Sequence, residues 1–126
     1  MFDLSGQVAL ITGSSRGIGY AAARALGRQG AVVVINGRDP AALARAAEDL
    51  RGEGITAHAL PFDMSDIDQA VNAVDEVLKA VGRIDIFFAN AGIQHREPLL
   101  TFPLLEFERV IFANLTSQWA LGRHIA

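Results

Sequence analysis

Residues 11–19, Ile-Thr-Gly-Ser-Ser-Arg-Gly-Ile-Gly, decide the fold, because Gly13, Gly17 and Gly19 fall in the pattern G-x-x-x-G-x-G. An apolar run, Val8–Thr12, leads into this stretch, and a helical pattern leaves it. Each glycine has a steric reason. Gly13 permits the tight turn, Gly17 lets a ligand approach the backbone, and Gly19 lets the helix pack close to the strand. Free N–H groups at the start of the helix, together with its dipole, suit a pyrophosphate. A glycine pattern alone is weak, and the alternative is a plain strand-to-helix turn. The flanking strand and helix supply the context the pyrophosphate reading requires.

Outward from this turn, apolar runs alternate with helical patterns. The remaining runs are Val32–Ile35, Thr56–Pro61 and Ile84–Ala89. Runs nearly continuous in Val, Ile, Ala, Leu and Phe read as parallel strands covered on both faces. Asp39-Pro40 reads as an N-cap followed by proline at the first helical position. Leu43, Ala46, Ala47 and Leu50 form one face of that helix, and Gly52 or Gly54 ends it. Ser65 is expected to cap the next helix, with Asp66 and Asp68 in its positive first turn. Ile67, Val71, Val74, Leu78 and Val81 form its expected buried stripe, and Gly82 closes it. A long helix is expected from about Leu104. Residues 1–126 thus read as a single α/β domain, β-α-β-α-β-α-β-α, with a doubly wound parallel sheet. No linker, repeat or low-complexity segment interrupts it.

Composition narrows the function. The chain of 126 residues is 51 % hydrophobic and 20 % charged, with a net charge of −3. That balance gives no electrostatic case for nucleic acid or an anionic membrane. No apolar run approaches the roughly 18 residues that span a bilayer. The N-terminal MFDLSGQ lacks the basic start and apolar core of a signal peptide, so a cytoplasmic location is expected. The absence of cysteine excludes disulfides and thiolate chemistry. His58, His95 and His124 are scattered without metal-ligand spacing, so no metal is expected.

Thr12-Gly13-x-x-x-Gly17-Ile18-Gly19 resembles the motif of the classical short-chain dehydrogenase/reductase family, and three further features come after it in order. Asp63, just after the third strand, matches the acidic residue that meets the adenine ring, with Met64 beside it. Asn90-Ala91-Gly92 matches the N-A-G turn lining the cofactor site, although Ala89 stands where N-N-A-G is usual. Asn114 matches the asparagine of the Asn-Ser-Tyr-Lys tetrad. The resemblance covers the whole chain and implies a Rossmann-like NAD(P)-binding domain, incomplete relative to the family's. It implies a cofactor set of Gly13, Ser15, Arg16, Gly17, Ile18, Gly19, Arg38, Asp63, Met64, Asn90, Ala91 and Gly92, with Asn114 catalytic.

An NAD-preferring member would place an acid at the end of the second strand. Here Ile35-Asn36-Gly37-Arg38-Asp39-Pro40 puts Gly37 at that position with Arg38 after it. A carboxylate there would repel a 2′-phosphate, whereas an arginine pairs with it. Arg16 is placed to reach the same group. The expected cofactor is NADP, with NAD as the alternative and surface decoration as the structural one for either arginine.

The substrate end reads Ile93-Gln94-His95-Arg96-Glu97-Pro98. It resembles the gluconate 5-dehydrogenase branch, whose pattern is NAGIQ-R-R-x-P. Arg96 matches the second arginine, and His95 replaces the first. An arginine at a substrate mouth suits a sugar-acid carboxylate, and an exposed loop arginine is the alternative. The implied reaction is alcohol/ketone interconversion on gluconate/5-ketogluconate, with a 3-oxoacyl carrier-protein thioester as the runner-up.

The family's proton donor is a tyrosine in Tyr-x-x-x-Lys, whose lysine depresses the tyrosine pKa. The single tyrosine, Tyr20, and single lysine, Lys79, cannot form it. Tyr20 reads as a helix-surface residue and Lys79 as solvated. The expectation is an N-terminal half, inactive alone, with the serine, tyrosine and lysine further along. The last helix supports this, with Phe107, Val110, Ile111, Leu121 and Ile125 on one face and Leu105, Phe112 and Trp119 on another. The resemblance implies a homo-oligomer through that helix. Asn114, inside the apolar stripe, is expected to need a polar partner: a relay water, or local backbone. A non-catalytic NADP-binding module and a structural docking fragment are the readings from other classes.

Overall fold

The computed structural model describes residues 2–126. Strands β1 (Val8–Ile11), β2 (Val32–Gly37), β3 (Ala57–Pro61) and β4 (Ile86–Phe88) form one parallel sheet in the order β3-β2-β1-β4. Helices α1 (Gly17–Arg28), α2 (Pro40–Gly52) and α3 (Ile67–Val81) connect them. After β4 come a single 3-10 turn (Leu99–Thr101), α4 (Leu104–Ile111), a π-helical turn (Phe112–Thr116) and α5 (Ser117–Ile125). β1 pairs with β2 from Val8 against Val32 to Ile11 against Ile35, and with β4 from Ala9 against Ile86 to Ile11 against Phe88. The order reverses between β1 and β4, which opens a crevice beyond their carboxyl ends. Among the described residues no helix is long and apolar enough to cross a membrane.

The two-residue period of the strands divides the core between the sheet's faces. Ala9, Ile11, Val33 and Ile35 pack with Ala23 of α1 and with Leu43, Ala46, Ala47 and Leu50 of α2. Val8, Leu10, Val34 and Leu60 pack with Ala70, Val74 and Val77 of α3 and with Leu121 of α5. The central strands are covered on both faces, which is why they read as unbroken apolar runs.

Asp39 caps α2 as its sequence predicts, accepting from the Ala41 N–H at 3.0 Å. The α3 cap is Asp66 instead of the expected Ser65. Its carboxylate accepts the Gln69 N–H at 3.0 Å, while Ser65 donates its own N–H and hydroxyl to Asp63. The buried line of α3 also differs from the expected stripe: Ala70, Val74 and Val77 are buried, and Ile67, Val71, Leu78 and Val81 are half-buried. α3 packs against both the sheet and the neighbouring α5, so its apolar residues divide between two neighbours. Gly82 ends it with φ +81° and donates to the Leu78 carbonyl.

The last helix is not continuous. The π-helical turn at Phe112–Thr116 widens the coil and rotates the residues of α5 about the axis. The inward residues are Ala113, Ser117, Gln118 and Leu121; of the expected face Leu121 is buried and Ile125 packs against the same core, while Phe107 and Ile111 are exposed. Leu105 and Trp119 are exposed as well, at 78 % and 62 %.

Asp85 closes the start of the β1–β4 ladder. Its carboxylate accepts the Val8 N–H at 2.8 Å and its own N–H donates to the Val8 carbonyl at 2.8 Å. The Arg83 guanidinium, then the Val8 N–H, holds its carboxyl below the usual carboxylate range. Its contribution to stability is present above that range and is lost as pH falls through the depressed value. Asp85→Asn is expected to flatten the acid limb of the stability–pH curve, measured by urea unfolding between about pH 3 and neutrality, where ordinary carboxylates titrate.

Candidate functional site

The crevice at the carboxyl ends of β1, β2 and β4 is a cleft of about 390 Å³. Its wall includes Gly13, Ser15, Arg16, Gly17, Gly37, Arg38, Asp63, Met64, Asn90, Ala91, Gly92, Ile93 and Arg109. Ten of the twelve positions of the expected cofactor set lie on that wall. Gly19 lies buried behind it, and Ile18 is exposed at 76 % outside the lining.

The glycine turn sits against the Asn90–Gly92 turn. Gly13 adopts φ +62°, and a Cβ on it would lie 2.8 Å from the Ala91 Cα. A Cβ on Gly19 would lie 2.4 Å from the Gly13 carbonyl oxygen and 2.6 Å from the Asn90 Nδ2. Gly17, also at φ +62°, has nothing within 4 Å of the same position, so the backbone there is open to a ligand. α1 begins with no side-chain cap and no acid in its first turn. Its N-terminus is therefore electrostatically disposed toward an anion.

Buried polar groups hold these loops. The Asn36 Oδ1 accepts the Gly13 N–H at 3.0 Å, and its Nδ2 donates to the Leu60 and Phe62 carbonyls at 3.1 Å. The Ser14 hydroxyl donates to the Ile11 carbonyl and accepts the Asn36 N–H. The Thr12 hydroxyl accepts the N–H groups of Asn90 and Ala91, each at 3.0 Å. Asn90 returns its Nδ2 to the Thr12 and Gly13 carbonyls. Gln118, buried in α5, donates to the Ala91 carbonyl at 2.8 Å. These roles of Asn36, Thr12 and Gln118 lie outside the sequence expectations. A polar residue inside an apolar strand or helix was the available signal for each.

Asp63 faces the cleft with its carboxyl held below the usual range, chiefly by the Ser65 N–H and against burial. The Ser65 hydroxyl and the Arg38 charge add to the effect. Arg38 and Arg16 are both exposed on the wall, and Gly37, the last residue of β2, carries no carboxylate.

Asn114 is exposed, not buried in an apolar stripe as expected. The π-helical turn carries it to the loop after β4. There its Oδ1 accepts the Ile93 N–H at 2.7 Å and its Nδ2 donates to the Ile93 carbonyl at 2.8 Å. Its partners are thus the backbone N–H and carbonyl of one residue 21 positions away. Arg96 is exposed and outside the cleft lining, whereas Arg109, which no sequence motif singles out, is part of it. Tyr20 is half-buried against the α1–α2 core instead of lying on a helix surface. Lys79 is exposed and paired with Glu76 at 2.9 Å.

The family described as short chain dehydrogenase matches residues 7–126, and the chain belongs to it. Gluconate 5-dehydrogenase of Gluconobacter oxydans (strain 621H) is 39 % identical over 126 residues, 100 % of this chain and 49 % of the relative. 5-Keto-D-gluconate 5-reductase of Escherichia coli (strain K12) is 38 % identical over 125 residues, 99 % of this chain and 49 % of the relative. The crystal structure of a gluconate 5-dehydrogenase from Burkholderia cenocepacia J2315 in complex with NADP and tartrate superposes with a TM-score of 0.91. It is 40 % identical, over 98 % of this chain and 49 % of that one. The chain thus spans about half the length of the relatives it matches.

Two substitutions test the cradle. Gly19→Ala should destabilise by about 1–3 kcal/mol, because its Cβ meets the Gly13 and Ser14 backbone and an Asn90 carboxamide already held by two hydrogen bonds. Asn36→Ala should cost about 2–4 kcal/mol by leaving the Gly13 N–H and two carbonyls unpaired. Both are read from denaturant midpoints.

Proposed function

We propose that this short chain dehydrogenase holds NADP in the cleft and serves the oxidation or reduction of a sugar acid of the gluconate/5-ketogluconate kind. The observation that carries the cofactor reading is the end of β2. There the cleft wall presents Gly37 and Arg38, with Arg16 opposite in the glycine turn. Two guanidiniums and no carboxylate at that rim favour a 2′-phosphate. The glycine cradle fits the rest of a dinucleotide: a pyrophosphate lies against the open Gly17 backbone and the uncapped start of α1. Ser15 and Ile18 flank that helix start. Asp63, with Ser65 occupying its Oδ1, keeps its Oδ2 for an adenine amino group, and Met64 offers it an apolar surface. Asn90, Ala91 and Gly92 form the floor. Bound NADP supplies the nicotinamide carbon that gives or takes hydride.

Asn114 is assigned to the proton relay. The Ile93 peptide fixes its amide and leaves one N–H and one lone pair for water. Arg96 is assigned to the substrate carboxylate. The sugar-acid reading is supported by the gluconate relatives and by the Asn90–Pro98 segment, and a 3-oxoacyl thioester is the competing substrate. The exposed apolar side of α4 and α5, with Leu104, Leu105 and Trp119, is assigned to a homo-oligomer contact.

Titration calorimetry with NADP and NAD tests the cofactor reading. Arg38→Ala should weaken NADP about tenfold and leave NAD unchanged, as expected for one lost charge-assisted contact. Gly37→Asp should reverse the preference. Equal affinity of the unaltered chain for both cofactors would contradict the proposal.

A further inference from the structure

His95 stands between two carboxylates. Its Nε2 lies 3.0 Å from the Glu97 Oε1 and its Nδ1 lies 3.4 Å from the Glu106 Oε2. The Phe102 ring meets it edge-on, with centroids 5.2 Å apart. The same Glu106 oxygen accepts the Arg109 Nη2 at 2.7 Å and Nε at 3.0 Å. Arg109 in turn lines the cleft. The charged groups facing His95 are therefore Glu97 of its own loop and Glu106 of α4, with Arg109 reached through Glu106. Glu97 is itself held below its usual range, first by His95 and then by the Thr101 hydroxyl.

A neutral imidazole has one N–H and cannot donate to two carboxylates, whereas an imidazolium donates to both. When His95 is neutral, one ring lone pair confronts a carboxylate oxygen. The four groups balance in charge with His95 protonated and carry one net negative charge once it is neutral.

We propose that His95 is a protonation-dependent positioning residue for Arg109. As imidazolium it shares Glu106 with Arg109 and releases the guanidinium toward an anionic ligand in the cleft. As imidazole it returns Glu106 to Arg109 alone. The coupling is a property of the chain; the identity of the anion rests on the proposed NADP site. Both effects act in one direction, since acid removes negative charge near the cleft and loosens the competing ion pair.

Two readouts on the full chain separate the coupling from the cofactor. The first is the Nε–H resonance of Arg109 in isotope-labelled protein, followed from about pH 5.5 to about pH 8.5. It should move with the His95 ring signals and stay flat in His95→Arg. The second is NADP affinity at the two ends of that range. Wild type should bind about threefold tighter at the acid end, after normalising to His95→Arg, a size typical of one partly exposed charge. His95→Gln should bind at the weaker level throughout. An Arg109 resonance indifferent to His95, or an acid-to-base affinity ratio identical in wild type and His95→Arg, would overturn the inference. Failure of every variant to bind NADP, with Arg109 still tracking His95, would sustain the coupling and overturn the cofactor assignment.

Discussion

The carboxamide of Asn36 is the contact on which the rest of the site depends. It lies at the carboxyl end of β2, 1 % exposed. It ties the glycine turn after β1 to the end of β3 through the Gly13 N–H and the Leu60 and Phe62 carbonyls. Its backbone is stitched to Ser14 in both directions, by N–H to hydroxyl and by carbonyl to N–H. Three loops are thereby fixed to one another before any ligand arrives. The alternative leaves these peptide groups without that partner beneath the cleft, at a combined cost of about 2–4 kcal/mol. Thr12 does the same for the turn after β4, and Gln118 secures that turn from the helical side.

With the loops fixed, the topology sets where a ligand can lie and the glycines set how closely. The β3-β2-β1-β4 order puts the crossovers through α1 and α2 on one face and the crossover through α3 on the other, and leaves the crevice between β1 and β4 uncovered. Gly13 and Gly19 allow the two turns to touch, and Gly17 keeps the crevice floor bare. Charge is then distributed along it: an uncapped helix start in the middle, Arg16 and Arg38 at one rim, and Arg109 on the α4 side. Among the described residues Asp63 is the one carboxylate on this wall, and its ionised form is secured by Ser65.

Much of this was legible in the sequence because it is local. The glycine spacing, the Asp39-Pro40 start and the apolar strand runs each report on a few neighbouring residues. The runs did overstate β4, which extends only over Ile86–Phe88 at a sheet edge. What escaped depends on distant partners. Ser65 looked like a cap until Asp63 claimed both of its donors. Asn36 carries no local signal of its role, because its partners lie 23 to 26 positions away. The helical wheel held at Leu121 and Ile125 and missed Phe107 and Ile111, which precede the π-helical turn that breaks its phase. That break delivers Asn114 to Ile93, so the residue that looked like a flaw in an apolar stripe is a clamp on the site's loop.

The central claim is that one cleft, built on the Asn36 lattice, receives NADP. Backbone amide shifts of the labelled chain during NADP addition test it most directly. Perturbations should concentrate at Gly13–Gly19, Arg38, Asp63–Met64 and Asn90–Ile93, and leave the outer groove between α3 and α5 at Val71 and His124 unchanged. Shifts confined to that groove, or none at saturating NADP, would contradict it.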